Sequence, residues 1–208
     1  MSEYFVPAGS GEAEFVEKRS SFLGHVRFVE TEDAAREFIN EMKKKHYDAR
    51  HNCWCYIIRG GAVRYSDDGE PQGTAGLPML EVFKREGVEN VVCVVTRYFG
   101  GVLLGTGGLL RAYTKSAKDA LDAAGIAAVR RWVKLEAACP YSLLERMKTE
   151  CLALEGAVSD VEYGADVRMT FLLPESRSEE FQARVTELSA GQSSAQAVGE
   201  ELMPVRVK

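Results

Sequence analysis

The residues from Val91 to Tyr113, VVCVVTRYFGGVLLGTGGLLRAY, constrain the fold more than any other stretch, because they lead from an apolar run through glycines into a helical pattern. Val91, Val92, Val94 and Val95 form a nearly continuous β-branched run, which predicts a core strand covered on both faces. Gly100, Gly101, Gly105, Gly107 and Gly108 then place five glycines within nine residues, permitting positive φ and close approach of another molecule. Leu109, Leu110, Tyr113, Ala117, Ala120, Leu121 and Ala124 recur at helical spacing. The spacing predicts a helix that starts near Gly108 and ends at Gly125.

Backbone N–H groups at a helix start are unpaired and lie at the positive end of the dipole, so a glycine-rich entry can hold phosphate or carboxylate. Arg97 precedes this entry and Arg111 lies one turn inside it. No Gly-Lys-Ser/Thr follows, and the spacing is not that of a dinucleotide fingerprint. Two readings stay open: an anion site built from Arg97, Gly100, Gly101, Gly105, Thr106, Gly107, Gly108 and Arg111, or glycines that serve only a tight turn and close packing.

Around this stretch, Glu12 to Val29 reads as two extended segments broken at Glu17–Ser21, with Phe15, Phe22, Val26 and Phe28 as core positions. Thr31 is placed to cap a helix whose buried stripe is Ala34, Ala35, Phe38, Ile39 and Met42. Lys43, Lys44 and Lys45 close it, as a solvated helix end favourable to the macrodipole. His51 stands at the mouth of a strand beside Asp48, Arg50 and Asn52, where it is either a site residue or a satisfied structural histidine. Cys53 and Cys55 share one face of that strand; without a second ligand pair they read as buried thiols, and no metal is expected.

The stretch SDDGEPQGTAGLPML, Ser66–Leu80, is too polar for a core. Asp67, Asp68 and Glu70 could bind a divalent cation, but their spacing is not an EF-hand, and a turn with helix capping explains part of the cluster. Pro78 is expected as the first residue of a helix ending at Gly87.

At 208 residues the chain allows one large or two small domains. The strand and helix pattern restarts after Gly125, predicting domains at 1–130 and 131–208. In the second, Val133, Leu135 and Ala137 mark a strand and Leu144, Met147, Cys151 and Leu154 a helix. Val158 and Val161 begin a second strand; Val167, Met169 and Phe171 mark a third. Phe181, Val185 and Leu188 mark a second helix, and Val198, Leu202, Val205 and Val207 the last strand. That order is ferredoxin-like. Residues 1–130 carry 17 Lys/Arg and 18 Asp/Glu, whereas 131–208 carry 9 and 13. The second part, at −4 against −1, is thus the poorer phosphate binder. Five cysteines without a dense disulfide pattern, and no apolar leader or span, predict a cytoplasmic protein without membrane contact.

The segments SDDGEPQGTAGLPML and VVTRYFGGVLLGTGGLLRAY, with DARHNCWCY before them, resemble the paired motifs of the YigZ/IMPACT family in its bacterial two-domain form. The resemblance runs from about Glu14 to Gly125, and the tail is similar to the family's short C-terminal domain. Leu103 departs from it, many relatives having lysine there, as does Cys55, where a small residue such as alanine is usual. The resemblance implies an α+β protein: an N-terminal α/β domain resembling the ribosomal small-subunit protein domain 2-like fold, and a C-terminal ferredoxin-like domain similar to one in translation elongation factors. It implies a translation-associated regulatory or RNA/ribosome-binding protein, with an anion site at the glycine-rich loop that His51 joins. The alternative is an enzyme acting on a phosphorylated small molecule or nucleotide, with Asp67, Asp68 and Glu70 as metal or base. No HExxH, G-x-S-x-G or kinase motif set is present, so binding is favoured over catalysis. No catalytic residue and no cofactor is assigned, and the partner is RNA or the ribosome, or a phosphorylated ligand.

Overall fold

After a short first strand, β1 (Tyr4–Pro7), the chain forms a hairpin of β2 (Gly11–Glu17) and β3 (Ser20–Phe28). Its turn residues Lys18 and Arg19 sit at φ 46° and 67°, the left-handed pair whose twist matches the flanking strands. Helix α1 (Glu32–Lys45) follows, its N-terminus capped by Thr31, whose hydroxyl accepts from the Ala34 amide at 3.1 Å. Then come β4 (His51–Ile57), β5 (Val63–Ser66), α2 (Gly76–Glu86), β6 (Val91–Tyr98) and α3 (Gly105–Ala124). The computed structural model describes residues 3–208.

Strands β2 to β6 form one sheet in the order β2-β3-β6-β4-β5, with every neighbouring pair antiparallel. The apolar run of β6 follows from its central place. Val91, Cys93 and Val95 pack into the core shared with α2 and α3, while Val92 and Val94 pack with Phe38, Ile39 and Met42 of α1. Helix α3 lies close on the hairpin because Gly24 has no side chain; a Cβ there would come within 2.5 Å of the Ser116 carbonyl oxygen. Phe22 and Val26 are buried as expected, but Phe28 is 39% exposed, because β3 ends there.

Two helix starts differ from expectation. Helix α2 begins at Gly76, so Pro78 is its third residue, and Gly87 ends it in the left-handed region at φ 66°. Helix α3 begins at Gly105, not near Gly108. Its first turn is therefore made of the glycines themselves.

The rest of the chain comprises β7 (Ile126–Cys139), a single 3₁₀ turn at Tyr141–Leu143, α4 (Leu144–Ala153), β8 (Ala157–Tyr163), β9 (Val167–Pro174), α5 (Glu175–Leu188) and β10 (Gln196–Arg206). Strand β9 lies between β8 and β7, and β10 also pairs with β7, the split arrangement of a ferredoxin-like sheet. Leu135, Met147, Cys151, Leu154, Met169, Phe171, Phe181 and Val185 make its core. Val198 and Leu202 lie in β10 as the spacing predicts, and they are 50% and 44% exposed, since β10 pairs only with β7 and lies at the sheet edge. Tyr4–Val129 with Pro204–Lys208 forms one compact unit and Arg130–Met203 the bulk of a second, so the division falls inside β7 and β10. The protein is α+β, with two sheets in two domains.

Candidate anion-binding site

Strand pairing builds the first part of the site. In the β4–β6 register His51 lies directly opposite Arg97, so the end of the sheet presents both side by side. The loop after β5 supplies their neighbours. His51 Nδ1 is 2.8 Å from the Asp68 carbonyl oxygen, which can only accept. Nδ1 therefore carries a proton, and Nε2 is the ring atom left with a lone pair in the neutral imidazole. Nε2 stands 3.9 Å from Glu70 Oε1. Glu70 is buried; its Oε1 accepts from Arg97 Nη1 at 2.6 Å and from the Tyr113 hydroxyl at 2.8 Å. Burial, then Cys53 and Glu70, pushes the Tyr113 phenol far up, so it stays a protonated donor. Burial likewise pushes the Cys53 thiol up, and that thiol donates to the Asp67 carbonyl.

Asp67 and Asp68 have other tasks. The Asp67 carboxylate accepts backbone N–H groups from Gly73, Ala75 and Gly76 at 2.8, 3.0 and 2.9 Å, which caps α2 and closes the loop. The Asp68 carboxylate accepts from Lys43 Nζ at 2.8 Å and the Asn52 amide at 2.7 Å. Among the described residues no three His, Cys, Asp or Glu side chains are arranged to hold a metal. The two aspartates act as structural ligands of backbone and lysine.

These elements surround a cavity of about 360 Å³ lined by Arg50, His51, Gly69, Glu70, Pro71, Arg97, Phe99, Leu103, Leu104, Gly105, Thr106 and Leu109. It brings together His51, Glu70, Arg97, Gly105 and Thr106 from the three stretches that the sequence singles out. Gly101, Gly107, Gly108 and Arg111 do not line it. Nor does Gly100, which is a packing residue. A Cβ there would fall 2.1 Å from the Arg19 carbonyl, and its N–H donates to Ser20 Oγ at 3.2 Å. Arg50 and Phe99 were not assigned to the site from sequence. Arg50 was legible only as a neighbour of His51, and Phe99 only as part of the glycine-rich stretch. Tyr113 was read as core, which it is, but its hydroxyl also holds Glu70.

The electrostatics are uneven across the cavity. Arg97 is 6% exposed, with Nη1 committed to Glu70 and Nε buried without a partner. Its charge and that of Glu70 offset each other. Arg50 is exposed, its guanidinium 5.8 Å from the Phe99 ring centre, and among the described residues no carboxylate pairs with it. The N-terminus of α3 opens here with Leu104 as its cap residue, no side-chain capping bond and no acidic residue in its first turn. By contrast, α1 is capped by Thr31 and α2 by Asp67.

The Impact N-terminal domain matches residues 18–121, half of the chain, and contains every residue of the cavity. The chain belongs to the IMPACT family. Its other domain matches a Domain of unknown function (DUF1949) over residues 138–192. IMPACT family member YvyE of Bacillus subtilis is 37% identical over 195 residues, covering 93% of this chain and 90% of that protein. IMPACT family member YigZ of Escherichia coli is 32% identical over 206 residues, covering 96% and 100%. A solved structure described as a hypothetical protein superposes with a TM-score of 0.60 at 30% identity, covering 96% of this chain and 98% of that one. The IMPACT homologue of Dictyostelium discoideum shares a shorter region, 36% identical over 95 residues, which is 43% of this chain and 27% of that protein. With both bacterial relatives covered nearly end to end, this is the two-domain bacterial form of the IMPACT family.

Proposed function

We propose that this IMPACT family member is a translation-associated protein that binds RNA or the ribosome, gripping a phosphate in the cavity at the N-terminus of α3. The observation that carries the reading is the uncapped start of a 20-residue helix in one cavity with an exposed Arg50, which no carboxylate pairs with among the described residues. The amides of Gly105 and Thr106 have no intrahelical acceptor, and a phosphate oxygen supplies one. Arg97 does not act as a free two-pronged clamp, because Nη1 belongs to Glu70 and Nε is buried. The exposed charge is Arg50. The fold that the sequence resembles, that of a ribosomal small-subunit protein, favours RNA as the source of the phosphate. Five free, buried thiols suit a cytoplasmic setting.

One observation favours the alternative, an enzyme acting on a phosphorylated small molecule or nucleotide. His51 Nε2 and Glu70 stand together beside the anion position, as an acid–base pair would. The experiment compares binding of inorganic phosphate and of RNA by the wild-type chain and by Arg50→Ala. Loss of one charge-assisted contact should weaken both about 10-fold, without a change in melting temperature. Equal affinities would remove Arg50 and this cavity from the reading. Turnover of a phosphorylated compound that disappears in His51→Gln would replace the binding role by the enzymatic one.

A further inference from the structure

The cavity offers more than an anion can use. A phosphodiester has no proton to donate, yet two acceptors face it: His51 Nε2, whose lone pair is left free by the Nδ1 bond to Asp68, and the carboxylate of Glu70. A ligand satisfied by this cavity therefore presents an anionic group and, within a few bonds of it, a hydroxyl or amine donor. The remaining wall is apolar. Phe99 is 40% exposed at the cavity, with the guanidinium groups of Arg50 and Arg97 at 5.8 and 5.5 Å from its ring centre. Pro71, Leu103 and Leu109 continue that surface. About 360 Å³ is the volume of a small organic ligand and far more than a bare phosphate needs. A phosphate, an adjacent hydroxyl and a flat apolar ring are the three parts of a ribonucleotide.

Resting on the anion site proposed above, we infer that the cavity holds one unpaired ribonucleotide. Its phosphate lies on the first amides of α3 beside Arg50, its ribose 2′-hydroxyl donates to His51 Nε2, and its base lies against Phe99. The base is taken out of any stack, because an aromatic side chain in a cavity replaces the neighbouring base; this makes the ligand single-stranded. The hydroxyl contact distinguishes RNA from DNA, since a 2′-deoxy sugar leaves Nε2 facing nothing. The same chemistry comes from a strand of RNA or from a free mononucleotide.

The test measures affinity of the full chain for a labelled oligouridylate and its 2′-deoxy counterpart, and for AMP and 2′-deoxy-AMP. Wild type should prefer the ribo form by about 3- to 10-fold, the range of one hydrogen bond. His51→Phe should bring the ratio to one. Phe99→Ala, at a partly exposed position, should weaken both oligonucleotides by about 5- to 100-fold and keep the ratio. A preference confined to oligonucleotides makes single-stranded RNA the source; one confined to AMP makes it a free nucleotide. Measurable binding with equal ribo and deoxy affinity in the wild type overturns the inference and leaves the anion site standing. No binding of any probe, inorganic phosphate included, overturns both.

Discussion

Arg97→Ala is the substitution whose outcome the structure fixes most tightly, and the effect is on stability. The side chains of Arg97 and Glu70 are 7% and 3% exposed, and the 2.6 Å contact is the arginine's one bond to a carboxylate. Removing the guanidinium leaves a buried carboxylate held only by the Tyr113 hydroxyl. Breaking a buried pair from one side costs roughly 3–5 kcal/mol. At ~2.1 cal/mol/K of unfolding entropy per residue, a unit of ~130 residues loses about 10–18 °C of melting temperature. Thermal unfolding followed by circular dichroism reads this directly. The paired change Arg97→Met with Glu70→Gln removes both charges and should recover most of the loss, since a buried pair replaced as a whole is often neutral. If Arg97→Ala melts within about 2 °C of wild type, the pair is not a latch and the account of this cavity's wall is wrong.

Acid should destabilise the N-terminal unit through two neighbouring imidazoles. His25 and His46 lie 5.4 Å apart, and burial lowers both below the ordinary value of 6.5, against Glu12 and with Lys45 in the case of His25. The unfolded chain then binds more protons below about pH 6.5, so stability is full above that value and falls as the pH drops through the lowered folded values. Melting temperature should be flat from about pH 8 to 7 and decline toward pH 5, with a shallower decline in His25→Phe; an unchanged slope would exclude His25. Asp67→Ala, which frees three amides around the start of α2, should cost about 2 kcal/mol by denaturant titration, and a change below about 0.5 kcal/mol would show the cap to be idle. Leu103→Lys, at a cavity position 82% exposed, should raise phosphate affinity by about 2- to 5-fold in low salt, an effect that disappears in high salt.

The buried strand Val91–Val95, the cap at Thr31, the left-handed Gly87 and the ferredoxin-like order could all be read from sequence, because each depends on local pattern or on chemistry within a few residues. The site was legible in its parts but not in its joints. His51 and Arg97 meet through strand register, and Glu70 meets Arg97 and Tyr113 across 27 and 43 residues of chain. No periodicity carries such pairings. Arg97 illustrates the point: its place before the glycines marks it as an anion ligand, and only the 2.6 Å contact with Glu70 shows that Nη1 is occupied. Gly100 was grouped with the anion loop for its composition, whereas its reason is the backbone of Arg19 packed against it. Phe28 and Leu202 show the converse limit, for alternation marks a face without saying where a strand ends or whether its edge is covered.

The central claim is that an anion sits on the first amides of α3 beside Arg50. Titration of the ¹⁵N-labelled chain with inorganic phosphate, followed residue by residue by NMR, tests it most directly. The account predicts saturable amide shifts concentrated at Gly105 and Thr106, with side-chain shifts at Arg50 and Arg97, all weakened in Arg50→Ala. Shifts centred elsewhere, or a response at Gly105 and Thr106 that Arg50→Ala leaves intact, would contradict it.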